Sequence, residues 1–190
     1  MHLTDLYVKI KKARRANIHK TEKGGHMKEY THIKHSFEPV FSDTSKILIL
    51  GTLPSVKSRE ANFYYGHPQN RFWRVLAAVY SAEVPQSIAE KKAFLLAHDI
   101  AVWDVIAECD IIGSSDSSIK NVVPADIAAL LAKTQIERIY ANGGTAKRLY
   151  DKYQKPLCKK EALLLPSTSP ANAAWSVDRL IEAWSAVKQI

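Results

Sequence analysis

The sequence predicts an α/β domain: a three-layer sandwich around a central, mainly parallel sheet of four strands. Three observations predict it. Four short apolar runs, at 45–50, 100–105, 136–140 and 163–165, alternate with segments of helical periodicity. The first run, Ile47-Leu48-Ile49-Leu50, is unbroken, as suits a strand covered on both faces. At 190 residues, 46% hydrophobic and 24% charged, the chain is long enough for one core and short for two.

The elements follow in order. The compact part is expected to begin near Phe37, and strand one spans 45–50. The loop at 51–69 is long for an α/β unit, where connections of about 2–6 residues are usual, and long ordered loops at a strand end tend to be functional. A helix follows, with Asn70 as candidate N-cap and Phe72, Val75, Leu76 and Val79 on one face. Ser87 and Glu90 have the spacing of a capping box for a second helix. Strand two spans 100–105, and a Ser-rich loop at 112–120 comes after it. Pro124-Ala125-Asp126 opens a helix with Ile127, Leu130 and Leu131 on its apolar face. Strand three spans 136–140. Asn142-Gly143-Gly144 then reads as a turn into a helix at 145–153 rather than as a site. Strand four spans 163–165, and a last helix at 176–188 lines up Val177, Leu180, Ile181, Trp184 and Val187.

Charge divides the chain. The net charge is +8, and +6 of it falls in residues 1–35. These residues read as a basic, flexible N-terminal extension, and 36–190 as a single domain. A basic arm attracts polyanions, but a solvated tail has the same composition, so charge alone does not assign a partner. No apolar run approaches the roughly 20 residues of a membrane helix, so no membrane partner is expected. Two cysteines, Cys109 and Cys158, make neither a disulfide framework nor a four-ligand metal site, and a reduced, cytoplasmic setting is expected. No phosphate-binding GxxxxGK[ST], dinucleotide GxGxxG, GxSxG elbow or HExxH spacing occurs, so no metal or cofactor is expected.

In a parallel sheet the loops after strand C-termini converge on one edge, where ligands bind. Three such loops carry polar residues. The first holds Phe63, Tyr64 and Tyr65 before His67. Three consecutive aromatics cannot all point inward, so one is expected to line the cleft, where a ring can stack on a base. His67 is either a general acid/base or a turn residue before proline. Asn70 is either a helix cap or an amide that orients a water, and from the residues alone the cap is favoured. Asp116, with Ser114, Ser115, Ser117 and Ser118 around it, is the most suggestive carboxylate, though from the residues alone an Asx or Ser turn is favoured. Ser167, Thr168 and Ser169 between Pro166 and Pro170 offer hydroxyls on a stiffened loop.

These residues also resemble a known family. Gly51-Thr52-Leu53-Pro54-Ser55, Tyr65-Gly66-His67-Pro68-Gln69-Asn70-Arg71-Phe72-Trp73 and Leu165-Pro166-Ser167-Thr168-Ser169-Pro170-Ala171 are similar to motifs of the uracil-DNA glycosylase superfamily. Mismatch-specific members begin the first block with Gly-Ile-Asn-Pro-Gly, continue to Pro-x-Asn-[His/Arg]-Phe-Trp, and end with a Pro-Ser-Ser-Ser-like loop. Here Leu53 stands where their catalytic Asn stands, and leucine cannot position a water. The Gly-Thr-Leu-Pro-Ser version, with its Ser-Asp-x-Ser-Ile loop, resembles the hypoxanthine-DNA (DNA-deoxyinosine) glycosylase branch.

That resemblance implies a monofunctional enzyme. It would flip a deaminated adenine out of double-stranded DNA and hydrolyse its glycosidic bond, leaving an abasic site, without metal or cofactor and as a monomer. It moves the catalytic role to Asn70, assisted by His67. It implies substrate contacts from Gly51, Thr52, Leu53, Pro54 and Ser55, stacking by Tyr65, and edge reading by the Asp116 and Ser117 loop. It also implies a phosphate grip by Ser167, Thr168 and Ser169. Pro170, Ala171 and Asn172 fall where relatives carry an Arg or Leu wedge. The alternatives are a uracil or mispaired-thymine glycosylase of the same superfamily, and a non-catalytic DNA-binding module.

Overall fold

The computed structural model describes residues 29–113 and 115–188. The extension expected over 1–35 lies outside them as far as residue 28. Its last residues do not continue as an arm. Thr31–Lys34 form strand β1, with Ile33 buried, so folded structure begins ahead of Phe37.

The central sheet has the expected four parallel strands. They are β2 (Ile47–Gly51), β3 (Ile100–Asp104), β6 (Arg138–Asn142) and β7 (Ala162–Leu165), in the spatial order β3-β2-β6-β7. Every residue of β2 is buried, and its side chains alternate between two cores. Leu48 and Leu50 join Val105, Ile106, Ile127, Leu149 and Tyr150 on one face. Ile47 and Ile49 join Phe72, Leu76, Leu95, Leu180 and Trp184 on the other. Full burial of such side chains contributes about 1.5–3 kcal/mol each, which is why the unbroken run marks the centre of the sheet.

The helices are α1 (Val56–Glu60), α2 (Phe72–Val79), α3 (Ile88–Ala97), α4 (Ile127–Leu131), α5 (Gly144–Tyr153), α6 (Lys155–Cys158) and α7 (Val177–Trp184). The last passes into a 3₁₀ turn, Ser185–Lys188, rather than running as one α-helix to 188. Strand three sits two residues later than expected, at Arg138–Asn142. At α3 the capping box is complete: Ser87 accepts from the Glu90 N–H at 3.1 Å, and Glu90 accepts from the Ser87 N–H at 3.1 Å.

A second sheet was not expected. After β3 the chain bends at Val105 and continues as β4 (Ile106–Ile111), which pairs antiparallel with β1 and with β5 (Lys120–Pro124). The buried Gln154 secures the bend, donating through Nε2 to the carbonyls of Val105 at 3.2 Å and Ala125 at 2.7 Å. The Ser-rich loop therefore does not leave the second parallel strand. It is the tip of the β4–β5 hairpin, with a 3₁₀ turn at Asp116–Ser118.

Arg71, just ahead of α2, ties that helix to the loop after β7. Its guanidinium donates to four backbone carbonyls there: Thr168 at 3.3 Å, Ser169 at 2.6 Å, Asn172 at 3.0 Å, and Trp175. The Arg71 backbone N–H adds a bond to the Thr168 carbonyl at 3.1 Å. A planar fork with five donors suits this work, and a lysine ammonium does not.

Two outcomes follow for stability. Arg71→Ala should lower unfolding free energy by about 2–3 kcal/mol in urea titration, with Arg71→Lys recovering only part of it. Ser87→Ala should cost about 1 kcal/mol by the same measurement.

Candidate active site at the carboxyl edge of the central sheet

The four parallel strands end in a row, and each end delivers a polar group or a backbone turn to one cleft of about 570 Å³. That is within the usual range of roughly 300–1,000 Å³ for small-ligand sites. Gly51, Thr52, Leu53, Pro54 and Ser55 line it after β2, with Tyr65, His67 and Asn70 further along that loop. Asp104 lines it after β3, Asn142 after β6, and residues 167–171 after β7. Asp116 reaches the rim from the hairpin tip.

A hydrogen-bond chain runs across this edge. The Asn142 amide holds Thr168 at two points: Oδ1 accepts from the Thr168 N–H at 3.0 Å, and Nδ2 donates to Thr168 Oγ1 at 3.0 Å. The Thr168 hydroxyl, fully buried, passes its own hydrogen to Asn70 Oδ1 at 3.0 Å. Asn70 Oδ1 also accepts from the Phe72 N–H at 3.0 Å. The N-cap position of α2 is Arg71, one residue after the expected Asn70, because Arg71 already turns into helical backbone. The Asn70 oxygen instead accepts from the first helical N–H and from Thr168, and Nδ2 keeps its two donors at the cleft wall.

Three expectations change here. Asn142 is not only a turn residue; it anchors the chain of amides. The signal was an amide at the carboxyl end of a parallel strand, masked by the Gly-Gly that follows it. Thr168 has no exposed surface, so its hydroxyl is not available to a phosphate, while Ser167 and Ser169 line the cleft. Asn172 does not project as a wedge: its Nδ2 donates to the Ser167 carbonyl at 2.9 Å and braces the loop. Ala171 and Pro170 remain at the rim.

The other expected residues divide between cleft and scaffold. Of the aromatic trio, Phe63 and Tyr64 are buried. Tyr65 lines the cleft with its ring stacked on Phe72, centroids 3.8 Å apart and planes 15° from parallel. Burial, and after it the Asp104 charge, pushes the Tyr65 phenol far above its ordinary range, so it stays protonated. His67 Nδ1 accepts from the Gln69 N–H at 3.1 Å, which leaves Nε2–H as its donor. Ser55 caps α1, accepting from the Ser58 N–H at 3.2 Å. Leu53 packs partly into the core. Loss of solvent around it raises the Asp116 carboxyl above its usual range, with a hydrogen bond to Thr145 and the Arg148 charge opposing the rise. Ser117 does not reach the cleft; its hydroxyl bonds that of Ser115 at 2.9 Å. Ser114 lies outside the described residues.

Two residues at the site were not expected. Asp104 is buried at the end of β3, and its Oδ2 bonds His35 Nε2 at 2.9 Å. Both side chains are under a tenth exposed. The available signal for Asp104 was a carboxylate closing the apolar run Ile100-Ala101-Val102-Trp103. Nothing local marked His35, which arrives from β1 and the second sheet. Among the described residues no group of His, Cys, Asp and Glu could hold a metal ion, and no helix is long and apolar enough to cross a membrane.

Comparison with known proteins bears on the family and the fold. Residues 38–188 match the family model of the Uracil DNA glycosylase superfamily. A hypoxanthine DNA glycosylase of Methanosarcina acetivorans is 35% identical over 159 residues, covering 82% of this chain and 98% of that protein. One from Methanosarcina barkeri is 38% identical over 90 residues, covering 46% of this chain and 56% of that protein. Among solved structures, the solution NMR structure of a Methanosarcina acetivorans protein assigned to the uracil DNA glycosylases superposes with a TM-score of 0.69. It is 30% identical and covers 80% of this chain and 94% of its own. With its cleft built on the same loops that carry the motifs, the chain belongs to the uracil DNA glycosylase superfamily.

Proposed function

We propose that this DNA glycosylase excises hypoxanthine from double-stranded DNA by hydrolysis, acting as a monomer and leaving an abasic site. The observation that carries the reading is the Asn142–Thr168–Asn70 chain, which fixes the orientation of two amides in a nucleoside-sized cleft. The names of the two Methanosarcina relatives support the choice of base.

A base inside a duplex is out of reach, so the nucleotide must swing into the cleft. That costs a few kcal/mol, and less for a weakened pair such as one containing hypoxanthine. In the reaction the bond from C1′ to N9 breaks and its electron pair leaves with the base. The sugar becomes cationic, water oxygen bonds to C1′, and the water's proton ends on the base. Such a sugar cation needs a positioned water more than a strong base. Asn70 presents Nδ2–H donors because both lone pairs of its oxygen are occupied. It therefore holds the water through the water's oxygen, or meets charge building on the base; both act at the transition state. His67, donating from Nε2, serves the same developing negative charge rather than removing a proton. Ser167 and Ser169 receive the phosphates beside the sugar. Lys57 and Arg59 on α1 line the same cleft and favour a polyanion there.

The test is turnover of duplexes carrying deoxyinosine, deoxyuridine or deoxyxanthosine, with alkali to reveal abasic sites. The wild type should cut the deoxyinosine strand fastest. Preference for deoxyuridine would move the enzyme to the uracil or thymine type, and no abasic product from any duplex would leave a DNA-binding module. Asn70→Ala should lower kcat at least 100-fold, while costing about 1 kcal/mol of stability through the hydrogen bonds lost from the Phe72 N–H and the Thr168 hydroxyl. Equal kcat with that stability loss would reduce Asn70 to a structural residue.

A further inference from the structure

We propose that Asp104, held by His35, is the acceptor that reads the N1–H of the extruded base and so sets base preference. This rests on the glycosylase reading above and deepens it.

The sheet fixes the layout. Asp104 ends β3 and is paired in register with Gly51 on β2, while Asn142 ends β6 on the other side of β2. Neighbouring strands lie about 4.8 Å apart, so Asp104 and Asn142 start about 10 Å from each other along the cleft floor. The amides that serve the glycosidic bond stand at the β6–β7 end, around Thr168. A flat purine with its sugar at that end points its Watson–Crick edge toward β3, where Asp104 lines the wall.

The carboxylate is built to accept there. His35 Nδ1 is buried without a partner among the described residues, so the tautomer that avoids a stranded N–H carries its hydrogen on Nε2 and donates it to Asp104 Oδ2. Asp104 Oδ1 then has no hydrogen-bond partner among the described residues. It lies over Gly51 so closely that a Cβ on that residue would meet it at 2.2 Å. The glycine leaves room for the carboxylate. The buried Tyr65 hydroxyl, 3.4 Å from the same Cβ position, closes the space beside it.

An acceptor at this point sorts bases by their edges. Hypoxanthine offers N1–H with C2–H beside it and a carbonyl on one flank only. Adenine presents an N1 lone pair and repels the carboxylate. Xanthine at N1 and uracil at N3 carry the N–H between two carbonyls, so a carboxylate meeting that hydrogen is crowded by an oxygen on each side. Guanine shares the N1–H; its strong pair with cytosine, rather than Asp104, keeps it in the helix. A buried polar group that a wrong base leaves unpaired is an effective discriminator.

Asp104→Asn tests this. The amide oxygen should stay on His35 and turn the NH₂ toward the cleft, where it complements a carbonyl rather than an N–H. The quantity to measure is the ratio of kcat/KM for deoxyinosine over deoxyxanthosine duplexes within one preparation, which is independent of the folded fraction. The ratio should fall at least tenfold relative to wild type. A ratio within twofold of wild type overturns the proposal. If the variant turns over neither duplex, the same ratio is taken from competition binding of the two duplexes, with the same two outcomes. Failure of wild type to release any deaminated base would instead overturn the glycosylase reading itself.

Discussion

The site depends on one buried hydroxyl. Thr168 has a single hydrogen to give, and two asparagines on different elements decide where it goes. Asn142 Nδ2 fills one lone pair of Oγ1, so the hydrogen turns to Asn70. Asn70 in turn points its oxygen inward to Thr168 and to the first turn of α2, and its NH₂ outward. The direction of both amides at the β6–β7 end of the cleft follows from this order. Such preset donors cost no reorganisation when charge develops, which in the proposed reaction lets them stabilise a sugar cation and a departing base.

The arrangement explains why a conspicuous departure in the sequence is tolerable. Leu53 occupies the place where related motifs hold an amide, and it packs partly into the core. In the proposed reaction the amide work falls instead to Asn70, seventeen positions on, at the entrance to a helix already anchored by Arg71 to the opposing loop. The same two residues, Asn70 and Arg71, therefore join the first loop to the last. One does so through a side-chain relay and the other through carbonyls.

Much of this was legible in the sequence because it is local. The Ile47–Leu50 run, the Ser87 and Glu90 box, and the aromatic trio each state their role within a few residues. The second sheet was not legible: β1 alternates poorly, with only Ile33 buried, and it pairs with a strand nearly eighty residues away, His32 opposite Asp110. Its discovery also corrects the origin of the Ser-rich loop, which belongs to a hairpin. Asp104, His35 and Asn142 were missed for a related reason. Each sits in or beside an ordinary-looking segment, and only the strand order β3-β2-β6-β7 sets Asp104 and Asn142 into one cleft wall. Thr168 was legible as a loop hydroxyl, but its burial was not, so its partner was misjudged as phosphate.

The most direct measurement is single-turnover cleavage of a deoxyinosine duplex by Thr168→Val, which keeps the shape of the side chain and removes its hydroxyl. If that hydroxyl sets the direction of both amides, the chemical step should slow by two orders of magnitude or more while duplex affinity stays within a few-fold of wild type. A Thr168→Val protein that cleaves at the wild-type rate would contradict the account.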